Sequence, residues 1–187
     1  SRMHLMQIDR NNSCLVIVDV QTKLIPKIFN KDSLVNHINQ LIHIFKVLDL
    51  PIILTEQYPK GLGPTVSEIK ESLKGTSMKR IEKTSFSCFG SDLFLETLKK
   101  NKKNQVILTG IETHICVLQT SLDLIQGDYD VFLVDEATGS RNIDHRSIGI
   151  DRMKNSGVIF TNFEMLLFEM LKDSKNPNFK ELSGLIK

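Results

Sequence analysis

The stretch Cys14-Leu15-Val16-Ile17-Val18-Asp19-Val20-Gln21 decides the fold. Its first five residues are an unbroken, largely β-branched apolar run, and the run stops at an aspartate. A strand with one wet face alternates apolar and polar side chains. A continuous run marks a strand covered on both faces, which is the condition of a parallel sheet. Four further runs share this character: Pro51-Ile52-Ile53-Leu54-Thr55, Val106-Ile107-Leu108-Thr109 before Gly110, Val131-Phe132-Leu133-Val134 before Asp135, and Gly157-Val158-Ile159-Phe160-Thr161. A weaker run from Met78 to Ile81 precedes Glu82-Lys83.

Helical patterns fill the intervals. Leu34, Val35, Ile38, Leu41, Ile42, Phe45 and Leu48 recur at helical spacing, with Asp32 or Ser33 available as a cap. Shorter stripes run through Leu93, Phe94 and Leu98, through Thr113 to Ile125, through Asp144 to Lys154, and through Glu164 to Leu171. Lys99-Lys100-Asn101-Lys102-Lys103 reads as a solvated turn that complements a helix C-terminus. Strands alternating with crossover helices build right-handed βαβ units. The expected architecture is therefore a Rossmann-like, three-layer α/β/α domain spanning residues 1–187, with a mostly parallel sheet of about six strands.

Composition agrees with a packed globule. The chain has 187 residues, 41% hydrophobic and 25% charged, and a mean hydropathy of −0.10. Its 24 basic and 22 acidic residues leave a net charge of +2, which gives no electrostatic case for a nucleic-acid partner. No window approaches the ~20 apolar residues of a membrane span. The opening Ser1-Arg2-Met3-His4 does not lead into the apolar stretch of a secretory signal. Three cysteines without a signal fit free thiols in a reducing compartment, so a cytoplasmic location is expected.

Reactive residues in such folds gather just beyond the carboxyl ends of strands. Asp19, Lys83 and Cys116 pass that filter together, Cys116 in the expected first turn of the helix after Gly110. A thiol is a poor nucleophile until it ionises. A helix start and a nearby ammonium both favour the thiolate, and a carboxylate can accept the proton and later return it. Each residue also has an ordinary reading: a turn aspartate, a surface lysine, a small packing cysteine. Cys14 reads as core, and Cys88 as packing that lies near the pocket only if its turn folds that way. A Rossmann nucleotide site is disfavoured, since Gly61-Leu62-Gly63-Pro64 lacks the glycine fingerprint.

Three ordered segments carry a family resemblance: Leu15-Val16-Ile17-Val18-Asp19-Val20-Gln21, Glu82-Lys83-Thr84-Ser85-Phe86-Ser87, and Gly110-Ile111-Glu112-Thr113-His114-Ile115-Cys116-Val117. Val134-Asp135-Glu136-Ala137, Ser140-Arg141, Arg152-Met153 and Leu167-Phe168-Glu169 continue it. From Cys14 to about Lys180 the chain resembles the isochorismatase-like cysteine hydrolase superfamily, and among its subgroups the isochorismatase-domain-containing proteins.

The resemblance implies a catalytic triad of Asp19, Lys83 and Cys116. It also implies a cis peptide between Ile111 and Glu112, with the N–H groups of Glu112 and Cys116 as the oxyanion hole. A homo-oligomer, a dimer or larger, is implied as well. Gln21, Tyr58 and Phe86 are the substrate-binding candidates. Metal-dependent relatives carry an Asp-x-His and a further histidine after the second strand. Here Glu56-Gln57-Tyr58-Pro59-Lys60-Gly61-Leu62-Gly63 holds no histidine, so no metal and no other cofactor are expected. His37 and His43 read as decoration of one helix, and His114 as packing or a subunit contact. Relatives that hydrolyse isochorismate lack the cysteine, so Cys116 points to a small amide or related C–N substrate and a thioester-type intermediate. The alternatives are a catalytically silent binding or scaffold protein and a redox-responsive protein that uses an easily ionised thiol.

Overall fold

β1 (Ser13–Val18) is buried at all of its positions, and the sheet grows outward from it on both sides. The computed structural model describes residues 7–187, so the Ser1–His4 opening lies outside the described residues. After β1 come α1 (Lys31–Val47), β2 (Ile52–Gln57), α2 (Pro59–Leu62), α3 (Ser67–Ser72) and β3 (Met78–Lys83). Then follow α4 (Asp92–Asn101), β4 (Gln105–Ile111), α5 (Leu118–Gln126), β5 (Asp130–Gly139), α6 (Ile143–Asn155), β6 (Ile159–Thr161), α7 (Phe163–Leu171) and α8 (Phe179–Ser183). The sheet order is β3-β2-β1-β4-β5-β6, and all five pairings are parallel.

Side-chain alternation along β1 explains why helices cover both faces. Leu15 and Ile17 pack with α1, α3, α7 and α8 residues such as Leu34, Ile38, Phe45, Ile69, Leu166 and Leu182. Cys14, Val16 and Val18 point the other way, toward Phe94 and Leu98 of α4, Leu124 of α5 and Met153 of α6. Full burial of each Leu, Ile, Val or Phe contributes about 1.5–3 kcal/mol, so a strand apolar on both faces is favoured at the centre of the stack. Among the described residues no helix is long and apolar enough to cross a membrane.

The chain runs outward from β1 through β2 to β3, then returns to β4 on the other side of β1. This reversal leaves a crevice beyond the carboxyl ends of β1 and β4, where no helix connection covers the gap. Asp19 follows β1 and the Cys116 segment follows β4. The topology alone therefore brings these two sequence-distant residues to one place.

Candidate active site

Asp19 leaves β1 in a left-handed conformation, φ +52°, and is almost completely buried. Its Oδ1 accepts a hydrogen bond from Thr55 Oγ1 at 2.8 Å. Its Oδ2 lies 2.9 Å from Lys83 Nζ. Lys83, the last residue of β3, has a fully covered side chain. Its ammonium also donates toward Gln57 Oε1 at 2.7 Å, Ser85 O at 3.0 Å and Phe86 O at 2.9 Å. Cys116 Sγ lies 3.7 Å from the same nitrogen. The structure thus gathers Asp19, Lys83 and Cys116 around one ammonium.

The Cys116 segment has its own local architecture. Instead of entering a regular helix, the chain forms a π-helical turn over Thr113–Val117, and α5 begins only at Leu118. The Ile111–Glu112 peptide bond is cis. The N–H groups of Ile115 and Val117 both turn back to the Glu112 carbonyl, at 3.1 and 3.2 Å. Thr138 of β5 donates to Gly110 O at 2.9 Å and pairs with the Thr113 hydroxyl at 2.8 Å. The Glu112 carboxylate is held by Arg141 through its backbone N–H and Nε, both at 3.0 Å. Gly110 lets β4 close on β1: its φ is +114°, and a Cβ there would meet Val18 O at 2.2 Å.

Charge within the cluster departs from the simplest sequence reading. Burial, reinforced by the Asp19 carboxylate, pushes the Cys116 thiol up to about 12 despite the opposing pull of Lys83. Burial thus works against the easily ionised thiol that the sequence reading expects. Covering the sulfur outweighs what the one ammonium returns. Burial works against the Lys83 charge, but neighbouring negative charge, the Asp19 carboxylate first, and the Asp19 hydrogen bond hold the ammonium above its ordinary value. Cys88 is wholly buried behind the cluster. Its thiol is pushed up to about 11 by burial, with Lys83 opposing.

The substrate-binding candidates separate. Gln21 is fully buried, and its amide is spent on main chain: Oε1 accepts from Gln57 N at 2.7 Å, and Nε2 donates to Gln57 O and Gly63 O, both at 2.9 Å. It shapes the loop and presents no free polar atom to a ligand. Tyr58 and Phe86 are each 56% exposed. Tyr58 borders a cavity of about 400 Å³ together with Pro59, Lys60, Glu82, Lys83, Thr84, Gly90 and Ser91. That cavity reaches the lysine but has neither Asp19 nor Cys116 in its lining.

Two contributors escaped the sequence reading. Thr55 and Gln57 stand at the end of β2, which runs two residues past the apolar run that announced it. The parallel register, Gln57 opposite Lys83, is the signal that places them. Between them Glu56 is buried and spent: Oε2 accepts from Thr65 N and Oγ1 at 2.7 and 2.8 Å, and Oε1 takes Arg80 at 2.6 Å. Among the described residues no group of three or more His, Cys, Asp or Glu is arranged to hold a metal ion. His114 bonds Ser140 Oγ through Nδ1 at 2.9 Å, and its ring lies 5.0 Å from that of His145, tilted by 54°.

Comparison with known proteins agrees with this architecture. The family described as "Isochorismatase domain" matches residues 13–165. Isochorismatase family protein 1A of Dictyostelium discoideum is 41% identical over 178 residues, 94% of this chain and 86% of that protein. The structure described as MAR1 ribonuclease from Caenorhabditis elegans is 37% identical and superposes with a TM-score of 0.91, covering 96% of this chain and 92% of the other. The Escherichia coli YcaC product, described as an octameric hydrolase of unknown specificity, is 26% identical with a TM-score of 0.89, covering 99% and 91%. By sequence and by fold, the chain belongs to the isochorismatase family.

Proposed function

We propose that the protein is a cysteine-dependent hydrolase of a small amide or related C–N compound, using Asp19, Lys83 and Cys116. One observation supports this above the others: a buried carboxylate and a sulfur share one lysine ammonium, at 2.9 and 3.7 Å. The Cys116 thiol is neutral at rest, so its proton passes to Asp19 as sulfur attacks the carbonyl carbon. The N–H groups of Glu112 and Cys116 hold the resulting oxyanion, and the Lys83 charge steadies the cluster. Asp19 then gives its proton to the leaving nitrogen, the C–N bond breaks and a thioester remains. Water, losing a proton to Asp19, attacks the thioester. Collapse releases the carboxylic acid, and the sulfur recovers its proton from Asp19.

No step calls on a metal. The segment after β2 supplies no histidine, and the Glu56 carboxylate is already satisfied by Thr65 and Arg80. The redox-responsive alternative loses its main support with the thiol raised to about 12. An oligomer belongs to the reading because the Escherichia coli neighbour is described as octameric. Here α6 leaves Ile143 and Ile148 more than half exposed, and light scattering reads the assembly directly.

The name of the Caenorhabditis elegans neighbour favours a second reading, phosphodiester cleavage of RNA. A net charge of +2 gives it little electrostatic help. One experiment addresses both readings. The purified protein and Cys116→Ala are incubated with a panel of small amides and carbamoyl compounds, and separately with single-stranded RNA. The hydrolase reading expects amide turnover that falls by roughly 10³-fold or more in the variant. Full amide turnover by Cys116→Ala removes the nucleophile assignment. RNA cleavage without amide turnover selects the second reading.

A further inference from the structure

Gln57 takes no part in the proposed reaction, yet its side-chain carbonyl makes the shortest contact of the Lys83 ammonium, 2.7 Å. An ammonium carries three protons. Around this one stand Gln57 Oε1, Asp19 Oδ2, Phe86 O and Ser85 O, all within 3.0 Å, and Cys116 Sγ at 3.7 Å. The carbonyls of Ser85 and Phe86 are consecutive and both accept from it. With five acceptors around three protons, the sulfur, the most distant, competes for a proton with Gln57, the nearest.

Gln57 is itself built in. Its main-chain N–H and C=O are both bound by the buried Gln21 amide, at 2.7 and 2.9 Å. Its Nε2 is committed to Thr84 O at 2.7 Å. That commitment fixes the amide so that its oxygen faces the ammonium.

We propose that Gln57 is a positioning residue: by holding an ammonium proton at 2.7 Å it draws that proton away from the Cys116 sulfur at 3.7 Å, so that Lys83 acts on the sulfur chiefly through charge and Asp19 is left to receive the thiol proton. The consequence for turnover rests on the hydrolase reading; the effect on the sulfur does not. The titratable groups facing that sulfur are Asp19 beyond β1, Lys83 on β3 and Cys88 in the turn Cys88–Gly90. Removing the Gln57 oxygen frees a proton that turns to sulfur as an N–H···S bond and eases ionisation of the thiol. Placing a carboxylate there cancels part of the ammonium field and hinders it. The two changes therefore act in opposite directions.

The test is alkylation of Cys116 by iodoacetamide in the whole protein between pH 7 and 10, with the modified residue located by peptide mass spectrometry. In Gln57→Leu the rate profile is expected to move to lower pH, with a several-fold faster reaction at pH 8. In Gln57→Glu it is expected to move to higher pH by about one unit, a roughly tenfold slower reaction. Shifts of both variants in the same direction mean that only packing was lost, and overturn the proposal. Unchanged profiles in folded variants overturn it as well. Should Gln57→Leu fail to fold, Gln57→Glu keeps the size and an acceptor, and an unshifted profile in that variant is decisive against. Opposite shifts in a protein that hydrolyses no amide uphold the role of Gln57 and count against the hydrolase reading.

Discussion

Replacing Gly110 by alanine tests the placement of the Cys116 segment through a single methyl group. Gly110 pairs with Val18 in the parallel β1–β4 ladder. The added Cβ would lie 2.2 Å from Val18 O, 2.6 Å from Val18 N and 2.8 Å from Val18 C, where real contacts essentially never fall below 3.0 Å. All three atoms are main chain, so no flexible side chain can swing away. The ends of β1 and β4 must part by about 0.8 Å, the gap between 2.2 and 3.0 Å. Holding an alanine at φ +114° costs about 1–3 kcal/mol, and the overpacking a further 1–3 kcal/mol. A loss of about 4 kcal/mol lowers the thermal midpoint of a chain this size by roughly 8–16 °C. Since Val18 immediately precedes Asp19, the same movement draws the carboxylate away from the sulfur. Urea unfolding gives the stability, and iodoacetamide alkylation of Cys116 gives the site geometry. A Gly110→Ala protein within about 0.5 kcal/mol of the parent, with unchanged Cys116 reactivity, refutes the reasoning.

The remaining predictions concern pH. Burial raises the three thiols from 9.0 to about 12 for Cys14 and Cys116 and about 11 for Cys88. A thiol that keeps its proton in the folded state and loses it in the unfolded state contributes stability below pH 9 that is lost as the pH rises. Urea unfolding between pH 9 and 10 should therefore show stability falling by about 1 kcal/mol per pH unit for each thiol. Cys14→Ala should remove about one third of that slope, and a flat profile in the parent would contradict the burial argument. At the acid end, burial raises the Glu56 carboxyl, but hydrogen bonds from Thr65 and Arg80 outweigh it and hold it below 4.5. Its stabilisation is present above pH 4.5 and lost as the pH falls through the lowered value. Glu56→Gln should flatten that acid limb, cost about 1–3 kcal/mol at pH 7 and speed hydrogen exchange at the Thr65 amide; unchanged exchange would show that Thr65 is held by other contacts.

The sheet was legible because its strands are buried on both faces. Leu15 and Ile17 feed one layer while Cys14, Val16 and Val18 feed the other, and only a continuous apolar run satisfies both. The same signal fails where a buried strand carries polar residues that find partners. It ended β2 at Thr55, though Glu56 is buried against Thr65 and Arg80 and Gln57 still pairs with Lys83. It ended the Val131 run at Val134, though β5 continues to Gly139 and brings Thr138 beneath Gly110. Asp19, Lys83 and Cys116 could be nominated from their positions at strand ends. The resting state of the thiol could not, because spacing carries no measure of how deeply a sulfur is covered. Gln21 shows the converse: its place beside a conspicuous motif suggested a ligand contact, but its amide completes the main chain of a neighbouring loop.

The buried charges bear on how the proposed reaction starts. An isolated ion pair in an interior is expensive to desolvate, and here Asp19 and Lys83 are compensated by Thr55, Gln57 and the carbonyls of Ser85 and Phe86. With the thiol neutral, the three groups sum to zero. Ionising Cys116 while Asp19 stays ionised would leave an uncompensated negative charge in the same space; burial first, and the Asp19 charge after it, raise the thiol to about 12. Moving the proton from sulfur to Asp19 keeps the sum at zero. Lys83 then faces a thiolate in place of a carboxylate, over a distance it already spans at 3.7 Å. On this view a neutral resting thiol is compatible with a nucleophilic one. In the proposed reaction the site stores no thiolate, and the proton leaves only as a new bond to carbon disperses the charge that burial opposes.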